Sequence, residues 1–175
     1  IAYNAKIIPV KVFPTTGNPT DNMIANGINW AWQNGADILS NSYGGGSYSS
    51  TIANAITNAV YNGRNGKGSI VLFSSGNDNG SVSFPATVTN AIAVGASSMC
   101  DQRKYPNSCD GEYWWGSNYG TGLDLVAPGV KIYTTDISGS TGYNSGDYRS
   151  DFNGTSSACP NAAGVAALIL SANPN

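Results

Sequence analysis

The sequence predicts an α/β fold in three layers, with a mainly parallel central sheet, built as one domain. Three observations carry this expectation. Short apolar runs of strand length alternate with longer stretches of helical period. The runs are dense rather than alternating, as strands buried on both faces are. Gly- and Asn-rich turns separate them, and neither an internal repeat nor a linker interrupts the series.

The elements follow in order. Lys6 to Phe13 (KIIPVKVF) reads as a buried strand, and a Gly-Asn-Pro loop over 15–20 follows it. Thr20 or Asp21 can cap a helix running to about Asn34. Ile24, Ile28 and Ala31 fall at helical spacing there, and Gly35 can stop it. Asp37 to Ser40 is a second short strand, and Gly44-Gly45-Gly46 breaks the chain. A second helix is expected from about Ser50 to Tyr61, with Ile52, Ala55, Ile56, Ala59 and Val60 as its apolar stripe. Asn62-Gly63 ends it. Ile70 to Phe73 and Ala91 to Ala96 are further strands, with two more at Leu123 to Val126 and Val130 to Thr134. The last element is a helix from about Ser156 to Ala172, stopped by Asn173-Pro174. In such sheets sites lie beyond the carboxyl ends of the strands. The loops after Phe13, Asn41 and Phe73 are therefore the places to look.

Composition excludes several partners. Lys+Arg is 8 and Asp+Glu is 10, so no strong field attracts nucleic acid or anionic lipid. No run approaches the roughly 20 apolar residues of a membrane span. The neutral, turn-rich polarity is that of secreted hydrolases more than of cytosolic enzymes. Cys100, Cys109 and Cys159 allow one pair and one leftover thiol, the alternative being three free thiols in a cytosolic protein. The polar, turn-rich stretch around Pro106 and Asn107 favours a Cys100–Cys109 disulfide. Histidine is absent.

Three segments carry candidate chemistry. Asn153-Gly154-Thr155-Ser156-Ser157-Ala158-Cys159-Pro160 leads into an apolar helix, and Pro160, lacking a backbone donor, fits near a helix start. A serine there lies at the positive end of the helix dipole beside unpaired N–H groups, a setting for a nucleophile whose product is an oxyanion. An ordinary Ser/Thr cap would read the same. At the end of an apolar strand, Phe73-Ser74-Ser75-Gly76-Asn77-Asp78 offers an Asn side chain that can donate to such an oxyanion. Alone it would read as an Asx turn. Ser42-Tyr43-Gly44-Gly45 follows another strand, and its glycines permit close backbone approach.

Together these segments resemble the subtilase family of serine proteases. GTSSACP is similar to the family's G-T-S-x-A-x-P nucleophile motif, and SSGN to its oxyanion segment. AKIIPVKVF, NGINWAW, NSYGGG, AIAVGA and LVAPGV resemble other family segments in the expected order. The resemblance implies a subtilisin-like fold, with Ser156 as nucleophile and Asn77 as oxyanion donor. It makes Ser42, Tyr43 and Gly44 one wall of the P1 pocket and Ser74, Ser75 and Gly76 the other. Thr155 joins the substrate-binding set, Ser83 lies near the pocket base, and Gly17, Asn18 and Pro19 form the far edge that pairs with substrate. Pro19 lacks a donor where that edge could use one. Asn161-Ala162 replaces the family's usual His-Val, a change of packing rather than of chemistry.

The triad order Asp, His, Ser further implies two earlier segments that these residues do not include. Residues 1–175 are then a partial peptidase domain, truncated at its N-terminus and inactive alone. Protein or peptide is the implied substrate, cleaved through an acyl-enzyme, and the resemblance implies a secreted monomer. No cofactor is required for the chemistry. Structural Ca²⁺ is compatible with the family, with no ligand assigned here. Uncharged pocket residues predict a broad or large apolar P1 preference rather than a dibasic one. Cys159 is expected to stay reduced and buried beside Ser156. A Ser-Lys dyad would need one of Lys6, Lys11, Lys67, Lys104 and Lys131, and none stands at S-x-x-K spacing. Two other readings compete: a non-catalytic pseudoprotease or peptide-binding domain, and a sugar-binding module suggested by Tyr113, Trp114, Trp115 and Tyr119.

Overall fold

Strand β2 (Ile70–Ser74) shows how the sequence builds the layers. Side chains alternate across a strand, so Val71 and Phe73 face one side and Leu72 the other. Val71 and Phe73 enter a cluster with Ile28, Ile52 and Ile56, and Leu72 enters a second one with Val94, Ala96, Ala158 and Cys159. The fold is a computed structural model that describes residues 1–174.

Helices α1 (Asp21–Gln33) and α2 (Ser50–Gly66) cover the first face. Helix α3 (Thr155–Ala172) covers the second. Between them, β1 (Ile38–Asn41), β2, β3 (Ile92–Ser97) and β4 (Leu125–Pro128) form a four-stranded sheet in that order. All its pairs are parallel, with Leu72 opposite Ser40 and Ile92. The three-layer α/β expectation therefore holds.

Local chemistry sets the helix limits. Thr20 Oγ1 accepts from Met23 N at 3.3 Å and caps α1. Ser49 caps α2 through Ile52 N at 3.5 Å. Backbone angles leave the helix at Gly63 (φ −60°, ψ 162°), so its regular part ends at Asn62, in keeping with the Asn62-Gly63 stop. A Cβ at Gly63 would lie 2.0 Å from Ser69 Oγ, which is why only glycine fits there.

Three expectations are corrected. Lys6–Phe13 is not a strand. Among the described residues no backbone hydrogen bond ties it to another segment, and Ile7 is 88% exposed. A strand exists only as part of a ladder, and this run has no partner. Second, β5 (Ile132–Thr135) lies outside the parallel sheet. It pairs antiparallel with β6 (Tyr148–Phe152), an element with no apolar run to announce it. Third, β4 starts two residues later than expected, at Leu125. The β5–β6 loop is organised by Asp136, whose carboxylate accepts from Ile137 N at 2.8 Å and Asn144 N at 2.9 Å. Those bonds, that to Asn144 first, hold its carboxyl below the ordinary value.

Cys100 and Cys109 form a disulfide with Cα atoms 6.5 Å apart, and Cys159 is free and buried. Next to the disulfide, fully buried Lys104 pairs with Asp110 at 3.2 Å and donates to Tyr105 O at 3.0 Å. Among the described residues, no helix is long and apolar enough to cross a membrane.

Candidate active site

The carboxyl ends of β1 and β2 and the start of α3 meet at one cleft of about 330 Å³. Each contributes a short segment that the strand or helix behind it holds still.

The β1 segment is fixed from below. Buried Asn41 donates to Leu72 O at 3.1 Å, and its Oδ1 accepts from Tyr43 OH at 3.0 Å. Tyr43 packs edge-on against Phe73, centroids 5.6 Å apart. Burial pushes its phenol well above the ordinary value, so it stays neutral. Gly45 has φ 94° and donates to Phe84 O at 2.8 Å, which turns Ser42–Gly45 along the rim of the cleft. Glycine is the residue that takes this φ without strain.

The β2 segment turns at Gly76 (φ 107°), where a Cβ would lie 2.3 Å from Asn118 Nδ2. Asn77 follows. Its Oδ1 accepts twice from Thr155, from the backbone N at 2.8 Å and from Oγ1 at 2.9 Å. Gly76 N in turn donates to Thr155 Oγ1 at 3.2 Å. With Oδ1 so engaged, both N–H bonds of Asn77 Nδ2 are left to the exposed, cleft side.

Helix α3 begins after Gly154 (φ 102°). Pro160 is its sixth residue, deeper than expected. A proline there withholds the N–H that would serve the carbonyl of Ser156. Ser42 Oγ takes over, donating to Ser156 O at 2.8 Å. In return Ser156 Oγ donates to Ser42 O at 3.3 Å. The proline is thus tolerated because a side chain from β1 replaces the lost bond. Ser157 differs sharply from its neighbour: it is buried, and its Oγ bonds Gly154 O at 2.8 Å and Gly129 O at 3.2 Å. Cys159 Sγ lies 3.6 Å from Asn41 O and 3.7 Å from Ser40 Oγ. Burial raises its thiol pKa despite those bonds, so the thiolate form is disfavoured.

Ser42, Tyr43, Gly44, Ser74, Gly76, Asn77, Ser83, Thr155 and Ser156 all line this cleft. Ser75 does not. It is fully buried and donates to Asn118 O at 3.3 Å, so it stands behind the wall. Gly17, Asn18 and Pro19 form no strand and do not border the cleft. Sequence reasoning missed two residues. Asp78 is the one charged side chain in the lining. Asn118, 1% exposed, holds the β2 segment from beneath. Four of the five lysines are engaged elsewhere, Lys104 by Asp110, Lys131 by Asp110 O, Lys11 by Thr15 and Lys67 by Pro174 O, and Lys6 is exposed and does not border the cleft.

The profile of the subtilase family matches residues 1–175. The chain belongs to the subtilase family. Along its whole length this subtilase is 38% identical to an alkaline protease of Alkalihalobacillus alcalophilus, covering 40% of that protein. It is 37% identical to Subtilisin Savinase of Lederbergia lenta, covering 57% of it. A calcium-dependent protease of Nostoc sp. is also 37% identical, with 30% of its length covered. This subtilase chain thus spans less than two thirds of each of these relatives.

Proposed function

We propose that this chain is the nucleophile-bearing part of a secreted serine endopeptidase. Ser156 is the nucleophile, and a histidine oriented by an aspartate, both outside residues 1–175, completes the triad. One observation carries the proposal. Two donors with no protein acceptor among the described residues, Asn77 Nδ2 and Ser156 N–H, stand at the same cleft as Ser156 Oγ.

The chemistry follows. Ser156 Oγ attacks the scissile carbonyl carbon as its proton passes to the histidine. The carbonyl oxygen becomes an oxyanion, and the two donors bind it. Because Thr155 holds Asn77 before substrate arrives, little reorganisation is needed at that moment. Collapse of the tetrahedral species breaks the C–N bond, returns the proton to the departing amine and leaves an acyl group on Ser156. Water then enters by the same steps in reverse order. Losing an oxyanion-hole asparagine costs about 10²–10³ in kcat, a magnitude measured on subtilisin, itself a subtilase.

Substrate contacts follow from the cleft walls. Ser42, Tyr43 and Gly44 on one side, and Ser74 and Gly76 on the other, are uncharged and suit a broad or large apolar P1 side chain of a protein or peptide. Secretion is supported by the disulfide, which persists in oxidising compartments. No residue here is assigned to calcium. Among the described residues no three His, Cys, Asp or Glu side chains group together.

The proposal is tested with a fluorophosphonate probe. Residues 1–175 alone should not label, because they contain no histidine. The intact protein should label at Ser156. An intact protein that stays unlabelled but binds peptides in this cleft would be the non-catalytic relative instead.

A further inference from the structure

We infer that Asn118 is a positioning residue for the oxyanion site, acting through the segment that carries Asn77. The inference rests on the role proposed for Asn77.

Thr155 holds the Asn77 side chain, but the backbone under it needs its own support. Beyond Gly76 the chain leaves the four-stranded sheet and meets residues 116–119 only through isolated bridges, Asp78 to Gly116 and Ser81 to Tyr119, with Gly116 N donating to Asn77 O at 3.3 Å. Asn118 adds the side-chain anchor within that pairing. Its Oδ1 accepts from Asp78 N at 2.8 Å and from Gly80 N at 3.1 Å. Its backbone N donates to Gly76 O at 2.9 Å, and its O accepts from Ser75 Oγ at 3.3 Å. The residues on both sides of Asn77 are therefore tied to one side chain and its own peptide. Nδ2 donates to Ser83 Oγ at 3.1 Å, which extends the hold to the cleft lining.

The chemistry demands an amide. One oxygen must accept from two backbone N–H groups while the other end donates to a hydroxyl. Asn has both capacities on one short arm. The site admits no slack, because a Cβ on Gly76 would fall 2.3 Å from Nδ2. An apolar residue of similar volume would leave the N–H groups of Asp78 and Gly80 without a buried acceptor and release the segment to find water. A shift of Asn77 by a fraction of an ångström weakens a donor that must meet the oxyanion at about 2.7–3.1 Å. The expected loss therefore falls on kcat rather than on KM.

A double-mutant cycle in the intact protease, read with a chromogenic tetrapeptide anilide, tests this. Asn118→Leu should lower kcat by about tenfold or more while KM moves less than about threefold. In an Asn77→Ala background the same change should cost less than about threefold in kcat, because the donor it positions is gone. Equal losses in both backgrounds, or a change in KM alone, would overturn the inference. Where melting shows that the Leu variant does not fold, Asn118→Ser is put through the same cycle with the same expectation. Asn77→Ala by itself separates the two ideas. If it leaves kcat intact, the oxyanion role of Asn77 fails. If it lowers kcat about a hundredfold and no coupling appears, only the role of Asn118 fails.

Discussion

β2 and the segment 6–13 are both short, apolar and rich in β-branched residues, yet only β2 is a strand. β2 has β1 and β3 alongside and a helical layer on each face, and Phe73 is fully buried. The segment 6–13 touches the body only through part of its length. Val10 packs against the first core cluster, Val12 lies against Gly27, and Phe13 packs edge-on against Tyr43 at 5.6 Å. Ile7 and Ile8 reach solvent. Pro9 lacks a ladder N–H, but the other apolar residues of 6–13 are as strand-prone as those of β2, so the ladder and the cover weigh most in the outcome. Tyr43 joins them, since it packs edge-on against both Phe13 and Phe73.

The sharpest contrast is truncation to alanine. Phe73→Ala should destabilise the fold by about 3–5 kcal/mol through the cavity it leaves. Ile7→Ala should stay within about 0.5 kcal/mol in this chain. Chemical denaturation of both variants checks this, and comparable losses would show that 6–13 is as much a core element as β2.

The loop closed by Cys100 and Cys109 meets a strand only where Arg103 bridges Ser97 of β3 and Lys104 N donates to Ala96 O at 2.8 Å, and a covalent link adds to that hold. Closing a loop of this size contributes roughly 2–3 kcal/mol by restricting the unfolded chain. A Cys100→Ser, Cys109→Ser variant should lose that amount in denaturation. A loss near zero would mean that Lys104 and Asp110 hold the loop unaided.

Alkaline pH probes the junction. Burial raises Tyr43 above its ordinary value of 10.0 and Cys159 above 9.0. Both groups keep their protons more tightly folded than unfolded. Their contribution is full below the unfolded values and is lost as pH rises through the folded ones. Melting temperature should therefore fall from about pH 9 upward, and Tyr43→Phe should remove part of that slope. A profile flat to about pH 11 would contradict the burial of these groups.

Gly27→Ala should also have a small effect. The new Cβ would lie 2.3 Å from Val12 Cγ1, the end of a side chain on an unpaired run that can move. Alanine favours the helix by about 1 kcal/mol, so the net change should stay within about 1 kcal/mol. In the intact protein a larger cost would show that 6–13 has become a fixed strand there.

Helical period and dense apolar runs made α1, the regular part of α2, β2 and β3 legible in the sequence. Those signals are local. The fate of 6–13 depends on a partner strand, which no local pattern reports. The strand YRSDF at β6 shows no apolar run, because Tyr148 and Phe152 are separated by three polar residues and its hairpin is half exposed. Within the cleft, Ser156 and Asn77 could be singled out by position, at a helix start and a strand end. Ser75 could not be told from Ser74, since one turns inward. Asn118 sits in GSNYG, where a buried amide clamp and an ordinary turn Asn look alike, and its partners lie about 40 residues away. Pro160 read as a helix start because the bond from Ser42, across 114 residues, is invisible in the linear chain.

The central claim is that two adjacent serines have opposite roles, one at the cleft and one in the core. Peptide hydrolysis by the intact protein carrying Ser156→Ala or Ser157→Ala measures this directly. Ser156→Ala should abolish turnover, and Ser157→Ala should keep most of it while lowering stability, since a buried hydroxyl with two acceptors is lost. Turnover that survives Ser156→Ala and vanishes with Ser157→Ala would contradict the account.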